Sequence, residues 1–248
     1  MNGAALIRYL PIALLAVAWE LASRLGIVSP LVLPPLSAVI YSWFDLAADG
    51  RLLTNGANSL YRVAAGLCLA IVAGSALGFF MAWSRTTRIL IQPLVRMFYP
   101  MPKSALIPVM ALWLGFSDAS KIVLIFLGCM LPVTLSAFNG ARGSEQVLLW
   151  SARSMGASRL RMMWDVMVPS ALPELLSGIR IALAYSFILL VSSELVAAQK
   201  GLGYMIGLLG EGGVYSGMFA VVLTVALMGF IADRLFQMFS RRALRWQQ

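Results

Sequence analysis

The chain has 248 residues, of which 60% are hydrophobic and only 12% are charged. A soluble domain of this length carries about 25% charged residues, so the composition excludes a soluble globule and indicates one membrane-embedded domain. The net charge of +9 could suggest a nucleic-acid partner, but we attribute it to cytoplasmic loops, because basic residues resist translocation across the membrane.

Apolar runs long enough to cross about 30 Å of hydrocarbon recur along the chain and predict about six membrane spans. Their expected positions are Tyr9 to Arg24, Val63 to Trp83, Ile89 to Leu114, Ile122 to Phe138, Leu175 to Ala197 and Met218 to Phe239. The predicted fold class is therefore all-α, a polytopic transmembrane helical bundle. The first run resembles a signal peptide, but Glu20 interrupts any small-residue cleavage site, so we expect an uncleaved span.

The linker at residues 30–58 begins with several prolines, and Leu36 to Leu46 is then typical of a short amphipathic helix at the membrane interface. The next apolar run carries small residues at every fourth position, which places them along one ridge of a helix. These residues are Gly66, Ala70, Gly74, Gly78 and Ala82. Such a ridge predicts close packing against another helix, whose identity the sequence does not give.

The third run is interrupted by prolines, which break a helix at membrane depth. Lys103 lies in this break and has two interpretations that stay open. It faces a water-filled path, with Arg96, Pro100 and Pro102 as further pore candidates, or it lies at a loop edge and extends to the interface. Four charged residues near the ends of the last two runs are expected to pair or to extend to the interface in the same way: Arg180, Glu194, Asp233 and Arg234.

Basic residues concentrate in alternate connections, and the positive-inside rule then places both termini and the loop around Gly156 in the cytoplasm. That loop, at about residues 140–173, predicts one helix from Glu145 to Met155 and another from Ser158 to Val168, with Gly156 at the bend. Pro169 and Pro173 are expected to stop the second helix and to start the fifth span.

The same loop contains Trp150-Ser151-Ala152, three residues, Gly156, nine residues, and Val166-x-Val168-Pro169. This pattern resembles the cytoplasmic loop of membrane subunits of ABC importers, which reads Glu-Ala-Ala, three residues, Gly, nine residues, Ile-x-Leu-Pro. Trp150 stands where that family has an acidic residue. By this resemblance, the loop residues that contact the ATPase are Trp150, Ser151, Ala152, Arg153, Met155, Gly156, Ala157, Ser158, Arg159 and Arg161.

The resemblance extends to motifs elsewhere in the chain and is strongest to the nitrate, sulfonate and taurine branch of these permeases. Those motifs are Asn58-Ser59-Leu60-Tyr61-Arg62, Leu106-Ile107-Pro108, Leu112-Trp113-Leu114-Gly115, Ala119-Ser120-Lys121, Leu172-Pro173 and Gly201-Leu202-Gly203-Tyr204-Met205-Ile206. It implies the type I importer fold, a bacterial inner-membrane location, and alternating access for a small solute, with a small anion such as a sulfonate, taurine or nitrate favoured.

The family also implies partners. They are a second copy of the permease, two ATP-binding subunits that hold ATP and magnesium, and a periplasmic binding protein; a heterodimer of permeases stays open. This chain has no histidine and no Gly-Lys-Ser/Thr sequence, so we expect no catalytic residue, no metal site and no bound cofactor on it.

An alternative from a different class is an ion-coupled secondary transporter. Such a protein should show inverted repeats and an ion-coupling carboxylate at the bilayer midplane, for which Glu20 is the only weak candidate. A membrane-embedded enzyme lacks the necessary histidine and paired aspartates.

Overall fold

The computed structural model describes residues 3–143 and 146–247, and every regular element within these ranges is helical. The helices in chain order are α1 (Gly3–Arg24), α2 (Leu36–Ala48), α3 (Arg51–Trp83), α4 (Arg85–Phe98), α5 (Ile107–Leu114), α6 (Asp118–Arg142), α7 (Gln146–Ser154), α8 (Arg159–Met162), α9 (Val168–Ala197), α10 (Leu202–Glu211) and α11 (Tyr215–Ala243). Short 3₁₀ turns cover Lys103–Leu106 and Arg245–Gln247. The predicted all-α class is confirmed.

Four helical stretches of the described chain are long and apolar enough to cross a membrane, judged by length and composition. They are Arg51–Trp83, Asp118–Arg142, Leu160–Ala197 and Tyr215–Ala243. The predicted first span lies in α1. The predicted third span is two helices, α4 and α5, because Pro100 and Pro102 follow α4 and neither can donate a backbone hydrogen bond.

The central core of the molecule is formed by α3, α6 and α9. Its buried side chains include Val63 and Leu67 of α3, Ile125 of α6, and Ile179 and Leu190 of α9. A second cluster joins α2, α10 and α11 through Val39, Leu46, Leu202, Met205 and Val221. The helix predicted at Leu36 to Leu46 is therefore present, as α2, with Val39 and Leu46 buried in this cluster.

The small-residue ridge of α3 lies against α6. A Cβ added at Gly66 would lie 2.8 Å from Ile125, and one at Gly74 would lie 2.8 Å from the carbonyl oxygen of Met130. Ala70 is fully buried in the same row, and Ala82 is half-buried at its end. Backbones that approach this closely can associate where lipid supplies no hydrophobic driving force.

The expected break between the loop and the fifth span is wrong. Helix α8 passes through a π turn at Met163–Met167 directly into α9, so the helix is continuous from Leu160 to Ala197. Pro169 lies in the first turn of α9, next to the π turn that has already altered the hydrogen-bond ladder, so its missing N–H leaves the helix intact.

Candidate functional site

The bend at Gly156 is a helix C-cap built by the backbone. The Gly156 N–H donates to the Arg153 carbonyl, and the Ala157 N–H donates to the Ala152 carbonyl, both at 3.0 Å. This is the Schellman arrangement, in which the residue after the cap adopts a left-handed conformation. Gly156 does so with φ +79°, and a Cβ there would meet nothing within 4 Å. The sequence prediction of a glycine-dependent bend agrees with this geometry.

The second helix of the bend is also capped. The Arg161 N–H donates to the Ser158 hydroxyl at 3.3 Å, and the Met162 N–H donates to the Ser158 carbonyl. Ser158 is therefore the N-cap residue of α8, a position that serine favours. We call residues 146–162 the elbow. The predicted start of its first helix, Glu145, lies outside the described residues.

Large apolar side chains on and beside the elbow are exposed. Trp150 is 64% exposed and Met155 is 80% exposed. The other exposed apolar residues are Val147, Leu148, Leu160 and Trp164. Ser151, Arg153 and Arg161 are exposed among them, whereas Ala152 is buried and Ala157 half-buried. An exposed apolar patch with a basic rim is typical of a protein-binding surface.

A groove of about 410 Å³ runs between the elbow and the end of α3. Its lining residues are Ala82, Trp83, Trp150, Arg153, Met162, Met163 and Met167. Methionine side chains adapt to the shape of a partner, so this lining suits a protein contact.

Lys103 holds together the break after α4. Its Nζ donates to the carbonyls of Phe98 and Tyr99 at 2.7 Å and to that of Met101 at 2.8 Å, and the side chain is 9% exposed. The ammonium group therefore satisfies carbonyls that lost their helical partners, a structural role that neither sequence interpretation contained. The other pore candidates, Arg96, Pro100 and Pro102, are exposed.

Lys121 repeats this arrangement one segment later. It is buried, and its Nζ donates to the carbonyls of Phe116 and Ser117 at 2.9 and 3.2 Å. From the sequence, Lys121 was named only as part of a family motif and was given no role, although both lysines follow a helix end by a few residues.

A buried charged cluster joins α3, α6 and α9. Arg62 donates to Glu194 at 2.6 Å, to Asp118 at 2.9 Å and to the Lys200 carbonyl at 2.8 Å. Glu194 is completely buried and also accepts from the Ser59 hydroxyl. The expectation that Glu194 pairs is confirmed, but its partner, Arg62, was missed.

The loop before α10 closes over this cluster. The Gly203 N–H donates to Glu194 at 2.9 Å, and the Gly201 N–H donates to the Asn55 side chain at 2.7 Å. Gly201 has φ +119°, and a Cβ there would overlap the Glu194 carboxylate. The glycines at 201 and 203 are therefore needed for close approach to a buried acid.

Comparison with known proteins identifies the family. Residues 68–245 match the family described as the binding-protein-dependent transport system inner membrane component. The chain belongs to this family. It is 35% identical over 240 residues to the taurine transport system permease protein TauC of Escherichia coli, covering 95% of this chain and 87% of that protein. It is 32% identical to the putative aliphatic sulfonates transport permease protein SsuC of Bacillus subtilis, covering 96% of this chain and 86% of that protein.

Another permease relative carries a different name. The formylaminopyrimidine transport permease protein ThiX of Halalkalibacterium halodurans is 28% identical, covering 95% of this chain and 93% of that protein. Among solved structures, the inward-facing MetNI methionine ABC transporter superposes with a TM-score of 0.68 at 17% identity, covering 79% of this chain and 98% of that one. This likeness supports the type I fold.

The permease is thus the transmembrane subunit of an ABC importer, an inner-membrane component that works with an ATPase and a solute-binding protein. These matches support the importer and not the ion-coupled secondary transporter. Glu20, the only candidate for ion coupling, pairs with Arg24 at 2.6 Å and accepts a hydrogen bond from the Ser37 N–H in the first turn of α2. Its carboxylate therefore ties α1 to α2.

Arg180, Asp233 and Arg234, which were expected to pair or to extend to the interface, all make contacts. Arg180 of α9 forms a two-bond contact with Asp233 of α11. The Arg234 guanidinium lies over the Phe230 ring, 4.9 Å from its centroid.

Proposed function

We propose that this permease imports a small aliphatic organic anion of the sulfonate type, which a periplasmic binding protein delivers and ATP-binding subunits drive across the membrane. Two relatives that align with more than nine-tenths of the chain bear taurine and aliphatic sulfonates in their names. The chain itself is non-catalytic in this proposal, and ATP and magnesium bind to the partner subunits.

The elbow is the part of the chain that would transmit movement from the ATPase to the membrane spans. It presents exposed tryptophan and methionine side chains on a capped, glycine-dependent bend between two spans. We assign this surface to the ATPase. The exposed Arg153 and Arg161 lie at its rim, where charges set orientation more than affinity.

The functional unit is a homodimer with two ATPase subunits. The packing within one chain supports this stoichiometry, because a solute path through the chain would have to cross the α3–α6–α9 core. There the ridge glycines lie too close to α6 for an added methyl group. A path between two copies avoids that core, and each copy would then supply one wall.

The distribution of basic residues predicts how the permease is oriented in the membrane. We assign both termini and the elbow to the cytoplasm, because basic residues collect at the elbow and at the end of α11. Cysteines introduced at Ser154 and Ser240 should react only from the cytoplasmic side, and one at Asp49 only from outside. Labelling of the Ser154 position from the periplasm would contradict this orientation.

The test of the function is uptake by proteoliposomes that contain the permease, its ATPase and its binding protein. Taurine and ethanesulfonate should accumulate in an ATP-dependent way, and formylaminopyrimidine should not. Gly156→Asp should insert and dimerise but lose either the ATPase or its coupling, because it strains the φ +79° backbone and adds a charge at the contact. If Gly156→Asp keeps wild-type uptake and still co-purifies with the ATPase, the elbow does not couple the ATPase to transport. Uptake of formylaminopyrimidine but of neither sulfonate would reject the substrate class.

A further inference from the structure

An open groove of about 570 Å³ lies between α9 and α11 and ends at the Arg180–Asp233 ion pair. Its walls are apolar, with Leu183 and Phe187 on one helix and Val225 on the other. Small residues on both sides leave the space open: Ala184, Ala226 and Gly229. The groove could hold an alkyl chain and presents one guanidinium at its end.

The ion pair lies deep in the helices. Arg180 follows the first residue of α9 by 12 positions, which corresponds to about 18 Å along the helix axis. The Arg180 and Asp233 side chains are nevertheless 53% and 32% exposed in the isolated chain. Charges at this depth are costly against lipid, and they are expected to face a protein contact or a water-filled path.

The pair also separates two environments. A second groove of about 240 Å³ starts at Arg180 and continues past Ser177, Gln237 and Ser240 to Arg241, near the end of α11. One side of the pair is therefore an apolar groove, and the other is a more polar groove with a second cation at its far end. A solute that follows these grooves has to pass Arg180.

The geometry of the pair is that of an anion site occupied by a residue of the same chain. Arg180 donates through Nε to one Asp233 oxygen at 2.6 Å and through a terminal nitrogen to the other at 3.1 Å. A sulfonate offers oxygens with which the same two-bond contact can form. Asp233 keeps another donor, the Gln237 amide at 2.5 Å, so it retains a partner when Arg180 turns away.

We propose that Arg180 binds the anionic group of the transported solute and that Asp233 is its competitor in the empty permease. The solute's alkyl chain lies along Leu183, Phe187 and Val225, and the ammonium group of an aminosulfonate is available to Asp233. This inference rests on the proposed function, since it supplies the anion contact for that substrate class.

Uptake in proteoliposomes of phosphatidylcholine, with the ATPase and binding-protein partners present, tests the asymmetry that this competition predicts. Arg180→Gln should raise the KM for taurine and ethanesulfonate by about tenfold or more, because a charge-assisted contact is lost. Arg180→Lys should give a smaller increase. For ethanesulfonate, which has no ammonium group, Asp233→Asn should lower the KM, because Arg180 is then free of its competitor.

If the ion pair only holds α9 and α11 together, Arg180→Gln and Asp233→Asn should reduce uptake equally. That outcome would overturn the proposal, as would an unchanged KM in Arg180→Gln. Repeating the series with phosphatidylglycerol distinguishes the solute from a lipid headgroup. If the Arg180→Gln defect occurs only in vesicles that contain this anionic lipid, Arg180 binds lipid and the proposal is wrong.

A second measurement does not depend on transport. Ala184, one turn from Arg180 on the groove wall, is replaced by cysteine in a Cys68→Ser background, since Cys129 is buried. Ethanesulfonate should slow modification of this cysteine by N-ethylmaleimide, whereas the neutral ethyl methyl sulfone should not, and Arg180→Gln should abolish the protection. Absent protection, or equal protection by the sulfone, overturns the anion site even where the wild type transports sulfonates. Protection without wild-type uptake would keep the anion site and instead reject the proposed function.

Discussion

Replacing Arg62 by methionine should destabilise the permease more than any exposed charge replacement in the same helix. The change keeps most of the side-chain volume but removes the cation that contacts Glu194 and Asp118. Asp118 is 37% exposed and can be hydrated. Glu194 is fully buried, and among residues 3–143 and 146–247 its remaining hydrogen-bond donors are the Ser59 hydroxyl and the Gly203 N–H. An uncompensated buried charge costs about 3–5 kcal/mol, so we expect a loss of that size in the free energy of unfolding.

Arg51→Met is the matched control. Arg51 begins the same helix and pairs with Asp49, but these side chains are 57% and 54% exposed. An exposed pair contributes about 0–1 kcal/mol, so this variant should unfold almost like the wild type. The measurement is equilibrium unfolding in mixed micelles, followed by the loss of helical circular dichroism.

A double variant separates charge from shape. Arg62→Met with Glu194→Met removes the unpaired carboxylate as well, and it should recover part of the stability lost in Arg62→Met alone. The recovery is incomplete because the Gly203 N–H then lacks its acceptor. Equal stability of Arg62→Met and Arg51→Met, or a double variant less stable than Arg62→Met, would refute the assignment of a buried charge cluster.

Three further variants, two of them with a matched control variant, test other contacts in the described chain. Gly78→Leu should disrupt the α3–α6 contact, because a Cβ there would lie 2.5 Å from the Thr134 carbonyl oxygen. Gly56→Leu in the same helix should be tolerated, because the nearest atom to a Cβ at this position is 4.0 Å away. The temperature at which each variant aggregates in detergent measures the difference. Lys103→Met should lower the free energy of unfolding by about 1–3 kcal/mol, because it leaves three backbone carbonyls without a donor. Lys200→Met, at a side chain that is 57% exposed, should lower it less in the same unfolding assay. Trp150→Glu should retain the ATPase on co-purification, because the family has an acidic residue at this place; loss of the ATPase would show that Trp150 contacts it in another way.

Local patterns of this sequence predict the helices and the elbow because their causes are local. A four-residue spacing of glycine and alanine defines a helix face wherever that helix goes, and the ridge of α3 follows from it. A glycine between two short polar-faced segments predicts a left-handed cap, and Gly156 has the corresponding φ of +79°.

The charged contacts could not be found in this way because they depend on which helices are neighbours. Arg62 and Glu194 are 132 positions apart, and Arg180 and Asp233 are 53 apart. Opposite charges in apolar runs do indicate that partners exist, since unpaired charges are costly there. Choosing between Arg62 and Arg180 as the partner of Glu194 requires knowing that Ser59 and Arg62 face α9, which only the packing of α3 shows.

The continuous helix from Leu160 to Ala197 connects the elbow directly to the buried charge cluster. Under the proposed function, a displacement that the ATPase imposes on α8 reaches α9 without a flexible loop to absorb it. Helix α9 is in turn fixed to α6 and α3, because Gly178 lies against Ser136 and because Glu194 contacts Arg62. Helix α11 is held less tightly to this core: Val225, Met228 and Phe236 pack on it while only partly buried, an open groove lies between part of α9 and α11, and α11 also packs with α2 and α10 in a second cluster. We therefore expect α3, α6 and α9 to move as one body relative to α11. The Arg180–Asp233 contact joins α9 to α11, so the movement that the ATPase drives would also change how Arg180 contacts the proposed anion.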